Sequence, residues 1–219
     1  MFVRPRRGGQ ARGARRRGAR RLGAGIAALV LAAAGVLVQR YLPFGEPSDG
    51  PSGPPAGRDA AQRGEPYELR GRIVDVADGD TVTMLTSDGQ RRIRLDSIDA
   101  PEAGNGANQP GQPYAEASRK HLAGLVAGRY LRAQCHEADQ YGRDVCTVRL
   151  DDGSSANRAQ VSAGYAWAYT ARRGAYLRDT AMPGLQRNAR EARQGLWSQP
   201  GAVEPWKWRY ECWRQRKCG

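Results

Sequence analysis

Between Glu68 and Ile98 the chain reads as three alternating apolar segments separated by two Asp-Gly pairs, a pattern that best fits a β-meander. "ELRGRIVDVAD" runs into Asp78-Gly79, "DTVTMLT" follows, and "QRRIRLDSI" comes after Ser87-Asp88-Gly89. A period of two sends one face of each segment to a core, and Asp-Gly suits a hairpin turn. One residue resists this account. The turn in "VDVADGDTVTML" needs Asp78 and Gly79, but nothing in a hairpin needs Asp80.

Further along, "PYAEASRKHLAGLVAG" carries Ala115, Leu122, Leu125 and Val126 at helical spacing, with Gly128 as a stop. "RYLRAQC" and "RDVCTVRL" predict two more strands across "HEADQYG", while "SSANRAQVSAG" and "LQRNAREARQGLW" predict two more helices. Five short strands with a helix between the third and fourth predict a mainly β fold with some α. The expected architecture is a five-stranded OB-type Greek-key barrel with about three helices, over residues 67–200.

The N-terminal residues are of another kind. The formal net charge is +13, but residues 1–21 hold nine arginines and no acid, which leaves the rest of the chain only +4. Seventeen uncharged residues follow, Leu22 to Val38, close to the length that crosses a bilayer's hydrocarbon core. Their unbroken apolar circumference argues against a buried core helix. Ending in "GVLVQRYLPF" without an Ala-x-Ala-like site favours a retained signal anchor over a cleaved signal, and Arg20-Arg21 is only a weak twin-arginine signature. The expected layout is an arginine-rich cytoplasmic segment (1–21), a transmembrane anchor (22–38) and a disordered Pro/Gly-rich linker (39–66). The folded domain would lie outside the cytoplasm on a single-pass membrane protein, with secretion after cleavage as the alternative.

Cys135, Cys146, Cys212 and Cys218 all fall in the part that would be exported, and no Cys/His spacing suggests zinc; His136, adjacent to Cys135, points to the other face of a strand. Disulfides are expected, and proximity favours Cys135 with Cys146 and Cys212 with Cys218.

The third strand ends in "RIRLDSIDAPEAG", where Arg94, Asp96, Asp99 and Glu102 crowd together and Pro101 ends any regular strand. Taken alone, this segment is equally well explained as a solvated loop. Its neighbours change that balance. "DGDTV" at 78–82, "RLDSIDAPE" at 94–102 and "DQYGRDV" at 139–145 resemble, in order and separation, the motifs of the staphylococcal nuclease family of thermonucleases. "GLW" at 195–197 also fits, and "PWKWR" at 205–209 is similar to bacterial secreted or membrane-tethered members.

The resemblance implies a Ca²⁺-dependent endonuclease that hydrolyses DNA and RNA with little sequence preference, acting as a monomer on single-stranded or locally melted substrate. It implies Asp80, Asp99 and the backbone carbonyl of Ala100 as metal ligands, which answers the question Asp80 raised, since hard Ca²⁺ takes such oxygens. The family often has threonine where this chain has Ala100, a departure that would matter only if the hydroxyl orders a ligand water. Arg94 and Arg143 match the catalytic arginines, whose planar forks meet the charge of a phosphodiester under attack. Glu102 matches the glutamate that positions or deprotonates the attacking water, and Tyr141 a phosphate contact. Asp96 and Asp75 match no catalytic role and are expected to be solvated. Two alternatives remain open, a noncatalytic nucleic-acid-binding module on the same barrel and a cell-surface interaction protein.

The Trp/Arg-rich tail, 201–219, is read mainly as a segment packed back on the barrel and stapled by Cys212–Cys218. Its aromatics and basic residues also suit a single-strand-binding surface.

Overall fold

The computed structural model describes residues 64–218. The expected arginine-rich segment, the anchor at 22–38 and almost all of the linker lie outside them. Among the described residues no helix is long and apolar enough to cross a membrane.

Strands β1 (Tyr67–Val76), β2 (Thr81–Thr86), β3 (Gly89–Leu95), β5 (Tyr130–Ala138) and β6 (Asp144–Arg149) form a closed barrel in the order β1-β2-β3-β6-β5. β1 pairs with β5 to complete the ring, and every pairing is antiparallel except β3 with β6. The mainly β, five-stranded barrel predicted from the alternation is therefore present. Its interior is filled by Ile73, Val82, Met84, Ile93, Leu131 and Val148, with Leu122 and Val126 contributed by helix α1 (Ala115–Val126). Truncating one of these large side chains to alanine would cost about 2–5 kcal/mol.

The third segment does not run unbroken to Ile98. β3 stops at Leu95, Ser97 takes a positive φ of 62°, and a two-residue strand β4 (Ile98–Asp99) pairs with β7 (Trp167–Ala168). Ser97 Oγ holds the break by accepting the backbone N–H groups of Arg178 and Asp179 at 2.9 and 3.0 Å. Asp96, just before the break, is buried rather than solvated, which corrects the expectation for it. It accepts hydrogen bonds from Thr147 Oγ1, Asn157 Nδ2 and His136 Nε2, each at 3.0 Å. Asp75 is exposed as expected.

Four α-helices are present among the described residues rather than about three. Helix α2 (Ala156–Ser162) is capped by Ser155, whose hydroxyl accepts the Arg158 N–H, and α3 (Met182–Glu191) follows. Met182 enters the barrel core, while Ala189 joins Trp167, Leu196 and Trp197 in a second cluster. The fourth helix, α4 (Pro205–Trp208), lies in the tail and runs into a π-helical turn, Arg209–Arg214. Proline at its start forgoes no helical hydrogen bond.

Both expected disulfides are formed, between Cys135 and Cys146, directly opposed on β5 and β6, and between Cys212 and Cys218.

Candidate active site

Gly79 is required by contact rather than by turn geometry. A Cβ there would lie 1.8 Å from Ser118 Oγ on α1, whereas the turn glycine Gly89 sits at φ 107°. Beside it, Asp78 Oδ1 accepts the Asp80 N–H at 2.9 Å, so Asp78 shapes the turn as expected. Asp80 then turns inward. Its Oδ2 accepts the Ala100 N–H at 2.9 Å and its Oδ1 the Thr81 hydroxyl at 3.0 Å.

Arg94, across from Thr81 on β3, bridges the two buried aspartates: Nη1 donates to Asp80 Oδ1 at 3.0 Å and Nη2 to Asp99 Oδ1 at 2.6 Å. A second guanidinium approaches from the tail. Arg209 donates to Asp99 Oδ1 and Oδ2 at 3.1 and 2.8 Å and also to Glu102 Oε1. Asp80, Asp99 and Glu102 thus converge around Arg94 and Arg209. Glu102 is held at its backbone by Gln112, whose side-chain oxygen accepts the Glu102 N–H and whose own N–H reaches the Glu102 carbonyl.

The electrostatics follow from this crowding. Burial pushes the Glu102 carboxyl up to about 7, Arg209 opposes the shift, and Asp99 and Asp80 add to it. Burial and the neighbouring Asp80 likewise raise Asp78 to about 7. Burial disfavours charge on Arg94 and Arg209 too, but the carboxylates outweigh it and hold both above the ordinary arginine value.

Asp78, Asp80, Asp99 and Glu102 are therefore met by only two guanidiniums, and the donors are all hard oxygens. Asp80 and Asp99 come within the span of one guanidinium. That donor chemistry, hard oxygens with surplus negative charge, fits a divalent hard cation, which Asp80 and Asp99 would be the residues to hold.

Arg143 stands on the turn between β5 and β6, and Asp139 holds it there. Asp139 Oδ1 accepts the N–H groups of Tyr141 and Arg143, both at 2.9 Å; Oδ2 accepts Arg143 Nε and Nη2 at 2.8 and 2.7 Å. The guanidinium lies 5.5 Å from the centre of the Tyr141 ring. Arg94, Glu102, Tyr141, Arg143 and Arg209 line one cleft of about 910 Å³. Asp80 and Asp99 sit beneath its floor, under the two arginines they bind.

Three contributors were not read from the sequence. Asp139 lies four residues before Arg143 inside a quoted motif, and that spacing was a usable signal. Arg209 stood in "PWKWR" as one basic residue among several. Gln112 gave no signal at all.

Residues 92–199 match the family described as "Staphylococcal nuclease homologue". "Protein ParB" of Escherichia coli is 40% identical over 160 residues, covering 69% of this chain and 85% of that protein. An "Uncharacterized endonuclease" of Escherichia coli O157:H7 is 38% identical over 143 residues (65% and 86%), and the "Micrococcal nuclease" of Shigella flexneri 36% over 150 residues (65% and 81%). Likeness of this extent, over most of each relative's length, shows that the chain belongs to the staphylococcal nuclease family and is a nuclease, a hydrolase of phosphodiester bonds.

Proposed function

We propose that this nuclease is a Ca²⁺-dependent endonuclease that cuts DNA and RNA internally with little sequence preference. The observation that carries the reading is the convergence of Asp80 and Asp99 on Arg94, with Glu102 joined to Asp99 through Arg209, at one cleft that Arg143 also lines. Arg94 and Arg143 bind the non-bridging phosphate oxygens, and their paired N–H groups meet the charge that builds there. Glu102 orients the attacking water and accepts its proton as the new P–O bond forms and the bond to the leaving sugar oxygen breaks, that oxygen taking a proton from solvent water. A bound Ca²⁺ would neutralise phosphate charge and polarise the P–O bonds. Asp80, Asp99 and the Ala100 carbonyl would hold it. Contacts to phosphate carry no sequence information, in keeping with broad substrate use.

The same proposal places the domain outside the cytoplasm on the 22–38 anchor, supported by the arginine block and by the two disulfides. The test is incubation of the full chain with plasmid DNA, single-stranded DNA and RNA, with Ca²⁺ and with excess chelator. Cleavage of all three only with Ca²⁺ supports the reading; full activity in chelator overturns the metal assignment.

A further inference from the structure

The tail faces two ways. Trp208 and Trp213 both turn inward and donate their indole N–H groups to the Pro110 carbonyl, at 3.2 and 3.0 Å. Arg216 donates to the Asn108 carbonyl at 2.9 Å, and Cys212 is buried and bonded to Cys218. With Arg209 fixed on Asp99 and Glu102, the segment is anchored along its length.

Three other side chains of the segment look into the cleft. Trp206, Tyr210 and Arg214 line it together with Tyr141 and Arg143. Tyr210 is 55% exposed and Tyr141 75%, so both rings leave surface open to solvent. Six arginines line the cleft against four acids, a basic balance that suits a polyanion. The family match ends at residue 199, so this wall is built from residues beyond the matched segment.

We propose that Pro205–Arg214 forms a binding wall for an unpaired nucleic-acid strand flanking the phosphate that is cut, with Tyr210 stacking on a base and Arg214 meeting a phosphate. The assignment rests on the nuclease reading and names an added subsite for its substrate. An exposed ring accepts any base through its π-face but requires that base to be unstacked from a partner strand, so a single strand fits and a duplex does not. Rigid anchoring by the two tryptophans and the disulfide means that little ordering of the wall is needed on binding.

The test measures fluorescence anisotropy of labelled oligothymidylates of 3 and 12 nucleotides, and of a 12-base-pair duplex, with the full chain in chelator. Tyr210→Ala is expected to weaken the 12-mer on the order of tenfold and the 3-mer much less, with Tyr210→Phe restoring the wild-type value. Arg214→Gln is expected to reduce the slope of log affinity against log salt by about 0.7. Equal 12-mer affinity for the wild type and Tyr210→Ala, with the wild type still cutting DNA, overturns the wall and leaves the nuclease reading intact. An equal loss on the duplex also overturns it, because stacking on an unpaired base would then not be the contact. A wild-type chain that neither binds nor cuts removes both.

Discussion

Arg209 donates to both carboxylate oxygens of Asp99 across 110 residues of chain. The guanidinium occupies the oxygens that a cation at Asp80 and Asp99 would use, and arginine and cation would therefore compete. Arg209→Gln is expected to tighten Ca²⁺ binding by about tenfold, since a unit charge a few ångströms away is worth kcal/mol even at intermediate dielectric. Calorimetric titration of Ca²⁺ into both proteins checks this without reference to turnover; equal affinities would show that Arg209 stays out of the cation's place.

Replacing Arg143 by lysine keeps a positive charge but loses the planar fork. Turnover is expected to fall by about a hundredfold, with a much smaller change in KM, as befits an interaction that strengthens while phosphate charge develops. Steady-state kinetics on single-stranded DNA separate the two parameters.

Asp139 shapes the same turn and titrates in a way that can be followed. Burial works to raise its carboxyl, but the hydrogen bonds from Arg143 and Tyr141 and the Arg143 charge prevail and hold it below the ordinary carboxylate range. Its stabilisation is therefore fully present above the unfolded value of about 3.9 and is lost as pH falls through the lower folded value. Asp139→Asn is expected to flatten this part of the acid limb, read by circular dichroism between about pH 5 and 2.

Asp96→Ala tests the buried polar cluster. Thr147 Oγ1 and His136 Nε2 both meet the buried Asp96 carboxylate and lose that partner with it, while Asn157 Nδ2 keeps the backbone carbonyls of Asp96 and Cys146. The expected cost is about 1–3 kcal/mol, which lowers Tm by roughly 2–4 °C per kcal/mol. Thermal unfolding measures it.

Retention of the 22–38 anchor predicts a mature protein whose mass includes the N-terminal arginines. Intact-mass measurement on membrane fractions decides it. A mature N-terminus within residues 43–66 would show that the segment is cleaved.

The barrel was legible because alternation with period two, broken at Asp-Gly pairs, has few other solutions. Arg94, Asp99 and Glu102 crowd one short segment, but that crowding alone suits a solvated loop equally well, and it was the resemblance carried by the flanking motifs that singled them out. Asp96 was misread because it keeps the outward place in the alternation after Leu95, while the groups that cover it, Thr147, Asn157 and His136, are remote in sequence. Arg209 was missed for the same reason: periodicity reports which face a side chain takes, not which distant carboxylate it meets. Helix α4, four residues long, is too short to show a helical period.

The Cys135–Cys146 bond spans the turn that carries Tyr141 and Arg143, and both sulfurs lie in the barrel interior, away from reductants. A protease that nicked the exposed turn at Tyr141-Gly142 would therefore not part the domain into two fragments. The pieces would travel as one band on a gel without thiol and as two with it. Asp139 and Arg143 would still face each other from opposite cut ends, each kept near its place by its own strand. A nicked molecule of this kind is one that wears out slowly.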